Sequence, residues 1–186
     1  MIRVTIIVFL TLMINSKMVS QEIAPAPKNK AVVYFARTSG LGAIVNFSYF
    51  DSVTAIAKGN GTNYFRYECE PGPHLFWARS ENIDYLEAEL EAEKIYFVEV
   101  VPKMGIVKAE VELKPVDPSN EKTMARIFKL INKKSPQSTT AEKLDKEIEK
   151  TQNTVKETLE KYQKEKDKGK KFDRLEKTMY YLPKSQ

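Results

Sequence analysis

Cysteine is nearly absent from this chain. Cys69 is the only one in 186 residues, so no intramolecular disulfide can form and the fold must be held by its core. Histidine is as scarce, with His74 alone. These two side chains fall short of the several nitrogen and sulfur donors that a zinc site uses, and no metal and no cofactor is expected. Long apolar runs are missing beyond the first fourteen residues, which leaves no candidate transmembrane span in the remainder. No cysteine follows that first run either, which closes the lipid-attachment route.

What the chain does have begins at its start. Met1-Ile2-Arg3 supplies a positive charge, Val4 to Ile14 is apolar apart from threonines, and Asn15 to Ser20 is polar. That is the layout of a cleaved export signal over residues 1–20, with Met18 standing where a small residue is usual. The apolar run is roughly half of the ~20 residues a spanning helix needs. The expectation is an exported, soluble, non-lipidated protein of the periplasm or the extracellular space.

The net charge of +5 is unevenly placed. Residues 21–132 carry 13 Lys and Arg against 15 Asp and Glu, whereas residues 133–186 carry 15 against 10. The two parts therefore face solvent and partners differently.

Residues 21–29, with Pro25 and Pro27, read as an extended linker. Eight short strand patterns follow within residues 30–115. They are Ala31 to Ala36, Ala43 to Phe50, Val53 to Ala57, Tyr64 to Cys69, Leu75 to Ala78, Tyr85 to Leu90, Ile95 to Val101 and Ile106 to Leu113. Gly59-Asn60-Gly61 has the chemistry of a hairpin turn, and Pro71-Gly72-Pro73 is a second hard turn. In the sixth run Leu86, Ala88 and Leu90 should point inward, with Glu87, Glu89 and Glu91 outward. Eight strands without intervening helices predict an all-β core, an antiparallel β-sandwich or else an open barrel, because parallel strands need long crossovers.

Pro115 to Pro118 ends the sheet, and Ser119 or Asn120 can cap an amphipathic helix over residues 119–134. Met124, Ile127, Phe128 and Ile131 form the face that should dock on the sandwich. Ser135 to Thr140 reads as a flexible break, with Thr139 and Glu142 in capping-box spacing. Residues 141–182 form a charged helical tail, either one helix or two broken at Gly169. Its stripe of Leu144, Ile148, Val155 and Tyr162, extended by Phe172 and Met179, is a weak heptad, since Thr151, Thr158, Glu165 and Gly169 occupy other core slots. Those four residues are the candidate surface for a partner or for self-association.

Val33-Tyr34-Phe35-Ala36-Arg37, Tyr64-Phe65-Arg66-Tyr67, Pro71-Gly72-Pro73-His74 and Ile95-Tyr96-Phe97-Val98 together resemble a family of small bacterial β-sandwich domains of unknown function. The family occurs on exported proteins and lipoproteins. Its pattern is a Tyr-x-x-Arg strand, a Pro-Gly-x-His turn and a late Tyr-Tyr or Tyr-Phe strand. The resemblance covers about half of the chain, from Lys30 to Pro115. It implies a fold and a location outside the cytoplasm, and brings no catalytic residue with it.

Candidate chemistry is thin. His74 reads first as a corner ring bonded to backbone and second as a general base, alone or with Cys69 across the tight turn. The row Glu87, Glu89, Glu91, Glu93 reads as the solvated side of a strand rather than a calcium site or a glycosidase pair. Tyr34, Phe47, Tyr49, Phe50, Tyr64 and Trp77 supply core bulk before they supply a glycan platform. Lys164, Lys166, Lys168, Lys170 and Lys171 are diluted by acids, and nucleic acid is the wrong partner for an exported chain. The expected function is a noncatalytic exported cell-envelope module that recognises a protein or glycan and docks through its tail. An envelope hydrolase using His74 with Cys69 or a carboxylate, and a carrier of a small apolar ligand, are the alternatives.

Overall fold

A computed structural model of the protein describes residues 23–104 and 109–183. The export signal and the start of the eighth expected strand lie outside the described residues. The strands form where alternating side chains can be buried on both sides of a sheet: β1 Ala31–Arg37, β2 Phe47–Asp51, β3 Thr54–Gly59, β4 Asn63–Cys69, β5 Gly72–Arg79, β6 Ile83–Leu90, β7 Ile95–Met104 and β8 Ala109–Val116. A ninth strand that the sequence did not announce, β9 Asp173–Leu175, follows the helices α1 Glu121–Lys133 and α2 Ala141–Asp167.

The strands divide into a four-stranded sheet in the order β4-β1-β7-β8 and a five-stranded sheet in the order β3-β2-β5-β6-β9. Both are mixed, which corrects the antiparallel expectation. β1 runs parallel to β7, with Val32 opposite Ile95, and β9 runs parallel to β6, with Leu86 opposite Asp173. A parallel neighbour needs a long return path. For β7 that path runs through β2 to β6, four of them in the other sheet and β4 in the same one, rather than through a helix. Gly59-Asn60-Gly61 also differs from expectation: β3 and β4 belong to different sheets, so the turn carries the chain across the sandwich instead of closing a hairpin.

Between the sheets, Val33, Phe35, Phe47, Tyr49, Phe76, Leu86, Tyr96 and Val98 make the central core, with Leu86, Ala88 and Leu90 inward as expected. The outer faces are apolar too. On the four-stranded sheet, Val32, Tyr34, Tyr64, Ile95 and Phe97 are covered by Met124, Ile127, Leu130 and Ile131 of α1. The Asn120 carboxamide caps this helix, accepting from the Thr123 N–H at 3.1 Å. On the five-stranded sheet, Phe50, Ala55, Trp77 and Tyr85 are covered by α2. The result is four layers, helix on sheet on sheet on helix.

α2 is a single helix. It ends at Asp167 with Lys168 as its C-cap, and Gly169 follows at φ +84°, a left-handed turn that leads into β9 rather than into a second helix. The stripe of Leu144, Ile148, Val155 and Tyr162 lies on the chain's own sheet, joined by Phe172. As a surface for a partner it is already occupied, because the sheet beneath it presents aromatic rings that water would otherwise meet. Thr139 does not cap α2 either; its hydroxyl accepts instead from the Lys58 N–H at 3.2 Å.

Residues 135–140 are a strap, not a loose break. The Gln137 N–H donates to the Tyr64 carbonyl at 2.7 Å and its carboxamide donates to the Lys58 carbonyl at 2.7 Å. Tyr64 and Lys58 lie on the two edge strands β4 and β3, whose free backbone groups would otherwise invite another chain. A β-carbon at Gly59 would overlap the Gln137 carboxamide, which would have to shift to admit one. On the other side, the Tyr181 N–H donates to the Ile95 carbonyl at 2.7 Å, and the Tyr181 ring packs against Phe97 and Phe128. The segment after β8 thus circles the sandwich and returns to α1.

Candidate functional site

His74, at the start of β5, is held at both ring nitrogens. Nδ1 lies 2.7 Å from the Asp51 carboxylate and Nε2 lies 2.8 Å from the Glu70 carbonyl oxygen. Both neighbours are acceptors, so both nitrogens donate and the ring is an imidazolium. Burial opposes that charge, but the bonds to Asp51, to the Cys69 sulfur and to the Glu70 carbonyl outweigh it and push the pKa up to about 10. Tyr67 donates a further hydrogen bond to the same carboxylate at 3.0 Å. Cys69 is beside His74 as the tight turn allows, but it is buried and its thiol points to the Ala31 carbonyl at 3.9 Å. A ring with both nitrogens donating has no lone pair to take a thiol proton.

The pH consequence follows from the sign of the shift. The ordinary pKa is about 6.5, so above it the folded chain holds a proton the unfolded chain has lost. The stabilisation from His74 is complete below about pH 6.5 and is lost as pH rises toward 10. In urea melts from pH 6 to pH 10, the difference between the wild type and His74→Gln should shrink steadily; a constant difference would remove the ion pair from the account.

The glutamate row divides: Glu91 and Glu93 are exposed, as a solvated face would be, whereas Glu87 and Glu89 are half-buried and paired with cations of the chain. Glu87 accepts from the Tyr162 hydroxyl at 2.5 Å and from Lys166 at 2.7 Å, and Arg174 stands 3.6 Å away. Hydrogen bonds from Lys166 and Tyr162 hold its carboxyl below the usual range. Arg174 also reaches Glu89 at 3.7 Å. Two carboxylates already matched by the chain's own cations do not present an acid for glycoside cleavage. Tyr34, Phe47, Tyr49, Phe50, Tyr64 and Trp77 are all buried, which makes them core.

The opposite end of the sandwich is different. The loop from Thr38 to Asn46 connects β1 to β2 and is fastened by Arg37, whose side chain is 1% exposed. Its guanidinium donates to the carbonyls of Val45, Leu41 and Gly42 at 3.1, 2.9 and 2.7 Å and lies 4.1 Å over the Phe47 ring. Burial lowers its pKa below the ordinary arginine value. The loop so fixed presents Leu41, 46% exposed, and Ile44, 88% exposed.

A basic groove opens at each root of this loop. The first, about 330 Å³, is lined by Thr38, Thr62, Arg126, Lys129, Lys133 and Lys134. Glu99 neutralises Arg126 at 3.0 Å and accepts from the Thr38 hydroxyl at 2.8 Å, and Lys134 donates to the Thr62 carbonyl at 2.5 Å. The second, about 390 Å³, is lined by Asn46, Lys58, Thr139, Lys143, Lys146 and Lys150, with Glu147. Glu147 is buried and held ionised below its usual range: burial raises its pKa, and Lys58 and Ser48 more than offset that. The Ser48 hydroxyl donates to it at 2.6 Å. Lys146 pairs with Glu142 at 2.6 Å. Among the described residues no carboxylate lies within ion-pairing distance of Lys129, Lys133, Lys134, Lys143 or Lys150.

The tail lysines from Lys164 to Lys171 do not line these grooves. Lys166 and Lys170 are both paired with carboxylates. The signal that could have found the grooves is helical spacing: Lys129 and Lys133 are four apart, and Lys143, Lys146 and Lys150 are three and four apart. No protein-family model matches this sequence, and no curated protein was found similar to it.

Proposed function

We propose that this protein is a noncatalytic binding module of the cell envelope whose working surface is the β1–β2 end of the sandwich. The observation that carries this reading is the pair of grooves at the roots of one loop tied down by Arg37, lined by lysines of which Lys129, Lys133 and Lys143 have no carboxylate within ion-pairing distance among the described residues. Unpaired lysines around a concave surface focus positive potential and attract anions. The ligand class is therefore an anionic component of the envelope. The export signal read over residues 1–20 and the resemblance to exported sandwich domains support the location. His74 and Glu87 support a binding role rather than a hydrolytic one, because each is committed to neighbours within the fold.

The test is an amide-shift titration of the chain from Gln21 with inorganic polyphosphate. Shifts should concentrate at Lys129, Lys133, Lys143 and Lys150, and Lys129→Glu with Lys133→Glu should weaken binding on the order of tenfold. Shifts centred on His74, or none at all, would refute the assignment.

A further inference from the structure

We infer that the β1–β2 end docks on an anionic lipid surface, with Leu41 and Ile44 entering the boundary between headgroups and acyl chains. This deepens the binding role proposed above and rests on it. Two features converge. Ile44 is 88% exposed and Leu41 46% exposed, at the tip of a loop that three carbonyl bonds to Arg37 hold in one shape. A loop already ordered loses little freedom on insertion. The grooves then bracket that tip. Thr38, at the loop's beginning, lines one, and Asn46, at its end, lines the other.

An apolar tip between lysines is matched by a bilayer of anionic lipid: phosphates for the ammonium groups, and acyl chains for the aliphatic residues. A soluble phosphate compound would satisfy the lysines alone and leave Ile44 in water. Among the described residues no helix is long and apolar enough to cross a membrane, so attachment through this end would be peripheral.

The experiment uses the chain from Gln21, which contains every described residue and omits the apolar start that would bind lipid by itself. Cosedimentation is measured with vesicles of phosphatidylcholine alone and with one third phosphatidylglycerol, at low and high salt. Binding should require phosphatidylglycerol and weaken with salt. It should fall roughly fivefold for each of Lys129→Glu and Lys133→Glu, and on the order of tenfold for Ile44→Asp with Leu41→Asp. Val53→Asp, an exposed residue at the other end of β2, should bind as the wild type does. All these positions are solvent-facing, and unchanged urea midpoints will show that the variants fold. No partition onto phosphatidylglycerol, or wild-type partition by the Ile44→Asp variant, overturns the inference. So does full displacement by soluble glycerol phosphate. If polyphosphate still maps to the grooves in that event, only the lipid surface is lost and the anion-binding role stands.

Discussion

A chain stopped at Lys134 will not keep a stable sandwich; it will populate an unfolded or aggregated state under conditions where the longer chain is folded. The truncation removes α2 and β9 together. It uncovers Phe50, Trp77 and Tyr85, which are buried only because Leu144, Ile148, Val155, Leu159, Tyr162 and Phe172 lie over them. It also takes Leu175, fully buried, out of the central core. Each such apolar side chain contributes about 1–2 kcal/mol when partly covered. The group is therefore of the same order as the whole net stability of a domain, ~5–15 kcal/mol. Size-exclusion chromatography and urea melts of the two chains settle the matter. A truncated chain that stays monomeric with an unchanged midpoint would show that α2 is an appendage.

Trp77→Ala should be the most costly single truncation, about 3–5 kcal/mol. Trp77 is completely buried, stacks on Phe50 with ring centroids 3.9 Å apart and planes 4° apart, and donates from its indole nitrogen to the Ser52 carbonyl at 2.8 Å. Trp77→Phe keeps apolar area over Phe50 but leaves that carbonyl unpaired, so its cost should be smaller, about 1–2 kcal/mol. The two variants also differ in where the damage appears. Because Trp77 supports α2 from below, hydrogen exchange in the alanine variant should accelerate first between Leu144 and Tyr162 and only later in β1 and β7. A loss under 1 kcal/mol for Trp77→Ala, or uniform acceleration, would contradict the layered packing.

How far the sequence reached depends on which interaction each feature uses. Most of the eight strands were legible because apolar runs and alternation are local, although the run from Ala43 to Phe50 becomes a strand only from Phe47 and the start of the eighth lies outside the described residues. Their assignment to sheets was not, because Gly59-Asn60-Gly61 has the same chemistry whether the chain reverses within a sheet or crosses to the other. β9 offered just Leu175 as a buried residue among three, too short a pattern to read. The weakness of the α2 heptad has its cause in the partner surface. Thr151 and Thr158 occupy core slots and are 1% and 2% exposed. Small side chains there suit a helix lying on a sheet that already supplies Phe50, Trp77 and Tyr85, whereas a partner helix would ask for leucines. At the candidate site the lysine spacing was visible, but the loop they flank became recognisable only once Thr38 and Asn46 were seen to belong to two grooves.

The pairing of Tyr181 with Ile95, like that of β9 with β6, joins segments far apart in the chain. A chain that emerges amino end first completes both sheets, apart from β9, before either greasy outer face has its helix. It completes α1 well before β9 and Tyr181 arrive. Pairings separated by more than eighty residues form slowly, because a large loop must close before any contact rewards it. During that interval Trp77 and its neighbours are available to other molecules, and the nascent species is the one most prone to aggregate. Folding yield should therefore respond more sharply to concentration and to holding chaperones than the finished protein's stability would indicate.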